Sequence, residues 1–337
     1  MNKKHLYGIL IVLAISLAVL YHDLKQTPVK RLLAAARGLN LAWLLFVFVV
    51  MLLSYVCEAS ILAVLAKRKD EPKHGPWAFF RIPLIQALFN AITPMSTGGQ
   101  PAQLAAFIQM GVEGGRATSL LLMKFIIYQI VVLAAYVTAI FTGFHLVMTK
   151  FKALAVFIMI GFLIHLCSIA FLLAIMFAYR WTKKTAQSLF KLLAKFMKPE
   201  RVERWQQETM EKIDTFYAEG QNLKRERKKL ILATLLTVLQ MLCFYSIPYF
   251  ILLSFGLHVS WVQVTQMNIM IILFMAIIPL PGASGGAEFS FQTLFATFIS
   301  NSSQLVLAMF LWRFITYFFG MILGMFGWSI RPRKLKA

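Results

Sequence analysis

The sequence predicts an all-α polytopic membrane protein of about six spans, plus two re-entrant broken-helix hairpins in an inverted repeat. Three observations carry that prediction. The 337 residues are 60% hydrophobic and 14% charged, against about 25% charged in soluble domains. Two apolar stretches are interrupted by proline and glycine. The two interruptions are also copies of one another.

The clearer interruption is FMAIIPLPGASGGAEFSF, residues 274–291. Pro279 and Pro281 each remove a backbone donor and clash with the preceding turn. Gly282, Gly285 and Gly286 add backbone freedom. Unwound backbone at membrane depth survives only where it is buried in protein or lines a watery cavity. A half-helix beginning near Ala287 would aim free N–H groups and a positive dipole end at that place, with Glu288 beside it.

The other copy is FNAITPMSTGG, residues 89–99. PMSTGG at 94–99 aligns with PGASGG at 281–286, and KFIIY at 124–128 aligns with RFITY at 313–317. The separations are 185 residues from Phe89 to Phe274, 187 from Gly98 to Gly285 and 189 from Lys124 to Arg313. Three matches in order at near-constant spacing argue for duplication, with repeat 1 at about 41–148 and repeat 2 at about 230–329. Pro94, Pro279, Pro281 and Gly282 are the expected hinges. Paired interrupted segments of this kind mark a transporter's substrate site.

The elements follow in order. Lys3 and Lys4 precede an apolar run at about 6–22 with no small-residue cleavage site, so an uncleaved first span is expected. Thr27–Pro28 and Gly38 bracket a short helix whose Val29, Leu32, Leu33 and Ala36 share a face, which suits the membrane interface. Spans are expected at about 41–66, 118–148, 152–179, 230–256 and 303–329, with hairpins at 78–112 and 261–299. Residues 180–229 hold 14 basic and 7 acidic residues. They read as a cytosolic amphipathic linker of two surface-lying helices, the second ending at Gly220, that faces anionic inner-leaflet lipid.

The net charge is +21. Placing 180–229, the 67–74 turn and the basic tail in the cytoplasm follows the positive-inside rule and puts both termini there, in the cell membrane. The flanking spans 41–66 and 230–256 then run in opposite senses, which makes the repeat inverted. The basic residues of 23–40 run against this orientation, but reversing it would expose the larger basic loop. Nucleic-acid binding is not expected, because no soluble domain could present a groove. A homo-oligomer stays open.

Ionisable side chains inside a membrane are functional by default. Of ten glutamates, Glu58, Glu113 and Glu288 lie in or beside apolar segments. The repeat-related Lys124 and Arg313 are expected to face a central cavity and hold a phosphate, helped by the half-helix N-termini. The alternative is a structural ion pair such as Glu288 with Arg313. Glu58 would meet a cation or cap a helix. Ser96, Thr97, Gly98, Gly99, Gln100 and Gln103 surround the first break, and Ser284, Gly285 and Gly286 the second; they bind substrate or satisfy freed backbone groups. Glu288, if it binds an amine or a proton, should tolerate Glu288→Gln in folding but not in transport. Arg81 is expected to snorkel to the interface, and Glu113 and Arg116 to sit in a solvated turn.

Enzyme signals are poor. The three aspartates, Asp23, Asp70 and Asp214, do not pair, and hydrolase, zincin and P-loop motifs are absent. The three cysteines and the isolated histidines share no ligand spacing, so neither a metal nor another cofactor is expected.

With PMSTGGQPAQ, PLPGASGGAEF and a basic residue in each following span, the sequence resembles the transmembrane domain of the lysylphosphatidylglycerol synthase/flippase family over about residues 5–330. Full-length members add a cytosolic domain that transfers lysine from aminoacyl-tRNA to phosphatidylglycerol, and no counterpart is found in this sequence. The resemblance therefore implies the flippase half: moving an aminoacylated or other polar lipid to the outer leaflet, a role associated with resistance to cationic antimicrobial peptides. The alternatives are a lipid headgroup transferase and an accessory protein of envelope assembly.

Overall fold

The computed structural model describes residues 29–67, 74–150, 152–194 and 199–330. Among them every regular element is helical. Four helices, over 41–66, 114–142, 227–254 and 302–329, are long and apolar enough to cross a membrane. The protein is an all-α polytopic membrane protein. The expected first span, most of the 67–74 turn and the basic tail lie outside the described residues.

The short helix α1 (Val29–Arg37) buries Leu32 and leaves Leu33 exposed. Asn40 then caps α2 (Leu41–Ala66) by accepting from the N–H groups of Ala42 and Trp43 at 3.0 and 3.4 Å, a cap contributing about 1 kcal/mol. Next come α3 (Pro76–Ile92) and α4 (Gly99–Gln109), of 17 and 11 residues. At about 1.5 Å per residue neither arm spans a core about 30 Å thick. The next helices are α5 (Gly114–Lys150) and α6 (Lys152–Phe177).

The basic linker forms α7 (Tyr179–Leu193) and α8 (Pro199–Arg225). Lys183 and Tyr179 on α7 both bond Asp214 on α8, at 2.7–2.9 Å to Oδ1. These two bonds, the Lys183 one first, hold the Asp214 carboxyl below its ordinary range. Two expectations change here. The helix does not end at Gly220 but runs to Arg225, and α8 packs along α5 rather than only lying on a surface. A glycine inside a helix costs only about 1 kcal/mol, and packing against α5, where a Cβ on Gly220 would sit 3.6 Å from Ser119 Oγ, carries α8 through it.

Repeat 2 comprises α9 (Arg227–Ser254), the hairpin arms α10 (Trp261–Met275) and α11 (Gly286–Phe295), then α12 (Ser302–Arg313). A π-helical turn, Phe314–Phe318, joins α12 to α13 (Phe319–Ser329). The two repeats interlock. Helix α9 packs most extensively on α2, while α3 packs on α13 and α10 on α5 and α6. Each hairpin therefore leans on the other half's spans. Gly320, Gly324 and Gly327 line the α13 face toward α3; a Cβ on Gly324 would stand 2.4 Å from the Leu84 carbonyl oxygen. Small residues at such spacing let helix backbones approach closely. The main apolar core lies between α2, α5, α6, α9, α10, α11 and α12. Within it Phe291 stacks on Phe295 and Trp312 at ring separations of 4.1 and 5.0 Å.

Candidate functional site

Both helices break where the sequence places the breaks, and the two breaks share one backbone form. Met95 and Gly282 take left-handed φ of 51° and 59°, and Ser96 and Ala283 follow at 56° and 52°. The N–H groups of Thr97 and Ser284 donate to the Pro94 and Pro281 carbonyls at 3.2 and 3.3 Å. Their hydroxyls donate to the same oxygens at 3.0 and 2.9 Å. Thr97 and Ser284 thus satisfy backbone freed by the prolines, as hydroxyls commonly do at such interruptions. Pro94 and Pro281 face each other in an antiparallel β-bridge, so the two breaks meet and run in opposite directions. Pro94, Ser96, Thr97, Pro279 and Gly285 are exposed at this crossing, whereas Gly98, Gln100 and Gly286 are half-buried and Gly99 is buried.

Repeat 2 presents a buried ion pair beside the crossing. Glu288 stands in the first turn of α11, where Oε2 accepts the Gly285 N–H at 2.7 Å and Oε1 accepts Arg313 Nε at 2.6 Å. Both side chains are almost wholly buried. The Arg313 guanidinium lies over the Tyr317 ring, 4.8 Å from its centroid, and near Trp312 at 5.9 Å. Tyr317 Oη in turn donates to the Ala91 carbonyl, 3.0 Å away, at the end of α3. The π-helical turn that carries Tyr317 follows Arg313 directly, and such turns recur at functional sites. Through Tyr317, the Arg313 cluster of one repeat touches the broken helix of the other.

Repeat 1 presents a second pair built differently. The Lys124 ammonium on α5 donates to Glu58 Oε1 on α2, to Gln86 Oε1 on α3 at 3.1 Å and to Gln103 Oε1 on α4 at 3.2 Å. Gln103 Nε2 donates to Glu58 Oε1 at 3.2 Å and to Gln86 Oε1. Gln240 of α9 donates to Glu58 Oε2 at 3.0 Å. Five helices thus converge on one carboxylate and one ammonium. The two expected phosphate-binding cations do not meet a common space alone; each is held by its own carboxylate, and a phosphate would have to compete for it.

Two expectations are corrected. Arg81 does not reach the interface. It is fully buried, with Nε on the Gly327 carbonyl at 3.2 Å and Nη2 on Gln109 Oε1 at 3.1 Å, because α13 covers α3 there. Arg116 is buried rather than solvated and donates to the Ala66 carbonyl at 2.8 Å, while Glu113 is exposed as expected. Gln86, Gln240 and Tyr317 were missed. An amide inside an otherwise apolar span was the available signal for the two glutamines, since a polar group there needs a partner. Among the described residues no group of histidine, cysteine and carboxylate side chains could hold a metal.

Gly282 marks where the repeats differ. Met95 carries a side chain at the same φ, so the backbone alone does not demand glycine. A Cβ on Gly282, however, would stand 2.2 Å from Tyr317 Cε2. Gly282→Ala should therefore cost about 1–3 kcal/mol by overpacking, with a lower melting temperature that Tyr317→Leu partly restores. An unchanged melt for Gly282→Ala alone would show that the ring is free to move.

Residues 8–324 match the family described as the lysylphosphatidylglycerol synthase transmembrane region. The chain is also 30% identical over 251 residues to a UPF0104 membrane protein of Archaeoglobus fulgidus, a match covering 70% of this chain and 72% of that protein.

Proposed function

Because this chain belongs to the lysylphosphatidylglycerol synthase transmembrane family, we propose that it is a lipid translocase carrying a polar phospholipid to the outer leaflet. An aminoacylated lipid such as lysylphosphatidylglycerol, or a related polar lipid, is its substrate. The observation that supports this most is the antiparallel meeting of two broken helices with a buried cation–carboxylate pair on each side. Inverted repeats with discontinuous helices at the midplane are the architecture of alternating access. A headgroup phosphate takes Lys124 or Arg313 in exchange for a carboxylate, and the released Glu288 takes an amine. The exposed backbone of the crossing admits the headgroup, and α7 and α8 rest their basic faces on anionic inner-leaflet lipid. Exporting a cationic lipid makes the outer surface less attractive to cationic peptides.

The pure protein in vesicles should speed exposure of fluorophore-labelled lysylphosphatidylglycerol or phosphatidylglycerol to an impermeant quencher, and Arg313→Gln should abolish that acceleration. Vesicles with protein that behave as empty ones would end the translocase reading. Orientation has its own test. In a cysteine-free background, Gln206→Cys should label from the cytoplasm and Ser302→Cys from outside. Both labelling from one face would remove the inverted arrangement, and alternating access with it.

A further inference from the structure

The cations of the two buried pairs are repeat-related, but their carboxylates come from different elements, Glu58 from α2 and Glu288 from α11, and the pairs differ in chemistry. Arg313 is held by one carboxylate and two aromatic faces. Lys124 is held by side-chain oxygens alone, one each from α2, α3 and α4. A primary ammonium has three N–H donors, so each oxygen takes one. Glu58, Gln103 and Lys124 are buried and Gln86 is half-buried, and the one carboxylate and two amide oxygens are hard donors. A single negative charge balances a monovalent cation and leaves a divalent one uncompensated. Gln240 fixes the far carboxylate oxygen of Glu58, and Gln103 Nε2 ties Glu58 to Gln86, so these links remain when the ammonium leaves.

We propose that Glu58, Gln86 and Gln103 form a binding site for a small monovalent cation of the Na+ class, with Lys124 as its tethered competitor. The lysine sits on α5, whereas two of the three oxygens ride on the hairpin arms α3 and α4. Movement of the hairpin against α5 withdraws the ammonium and opens the cage. A phosphate that draws Lys124 toward itself does the same, so lipid and ion are taken up together. Arg313 has no such cage and serves anion recognition alone. This names the coupling ion of the translocase and rests on that reading for its purpose, but ion binding is measured without transport.

The test uses purified Lys124→Ala, which empties the cage. Its melting temperature should rise by about 3 °C or more between about 1 and about 100 mM NaCl, with choline chloride holding ionic strength constant. Glu58→Gln/Lys124→Ala should not respond. A flat response of Lys124→Ala, or an equal response of the double variant, overturns the proposal. Should Lys124→Ala not fold, radiolabelled Na+ binding to the wild-type protein decides. Saturable binding, competed by NaCl but not by choline and lowered at least about fivefold by Glu58→Gln, is expected, and its absence overturns the site. If Na+ binds but no lipid moves, the translocase reading fails and the ion site stands. If lipid moves and Na+ does not bind, the reverse holds.

Discussion

Glu288→Gln is expected to lose about 3–5 kcal/mol of stability, because it strands Arg313 as a buried charge with no carboxylate. The sequence alone suggested near-normal folding with transport lost. The geometry argues for a cost in both, since Arg313 Nε and the Gly285 N–H share the two oxygens of this one carboxylate. An amide can still accept from Gly285 but cannot balance the guanidinium. Glu288→Gln/Arg313→Gln removes the stranded charge and should recover at least about 2 kcal/mol of that loss in a double-mutant cycle. Melting of the purified proteins checks both statements. A single variant as stable as wild type would mean that Arg313 has another counter-charge. Transport by the double variant then separates the roles: a folded protein that moves no lipid identifies the pair as the headgroup site, and one that does returns it to structure.

Lys124→Gln should be comparably severe, about 3–5 kcal/mol, since Glu58 would be left among Gln86, Gln103 and Gln240 without a cation. Glu58→Gln/Lys124→Gln should restore most of the folding and none of the transport. The two conservative exchanges are informative as well. By residue type alone Lys124→Arg looks milder than Arg313→Lys, because a forked guanidinium binds two oxygens at once. The cage argues for the opposite order: a planar fork must enter a buried space closed by three oxygens, an overpacking of about 1–3 kcal/mol. Arg313→Lys keeps a charge beside Glu288 and weakens the cation–π contact with Tyr317, about 0.5–2 kcal/mol. Melting of the two variants side by side ranks them, and a Lys124→Arg protein as stable as wild type would show a looser cage than the hydrogen bonds imply.

The breaks, the duplication and the helical class were legible because their causes are local. Proline removes a donor and glycine permits turning wherever they stand. Pro94 with Met95 and Ser96, and Pro281 with Gly282 and Ala283, accordingly adopt matching backbones. The caps at Asn40 and Asn301 are of the same local kind. Residue type also singled out Glu58, Lys124, Glu288 and Arg313, because charge in an apolar span needs a reason.

What the sequence could not decide was pairing, beyond naming Glu288 with Arg313 as one alternative, which is the pair that forms. Lys124 meets Glu58 from 66 residues away, and Gln240 reaches Glu58 across 182 residues. Arg81 disappears beneath α13, 246 residues further on. Each partner is set by how the repeats interleave: α3 against α13, and α10 against α5 and α6. That interleaving depends on close approaches such as Gly324 to Leu84 and on the facing of Pro94 and Pro281. Local residue chemistry fixed where the chain bends and which charges must be satisfied. Only the tertiary structure fixed which charges satisfy which, because a buried charge takes its partner from whatever helix the packing brings within reach.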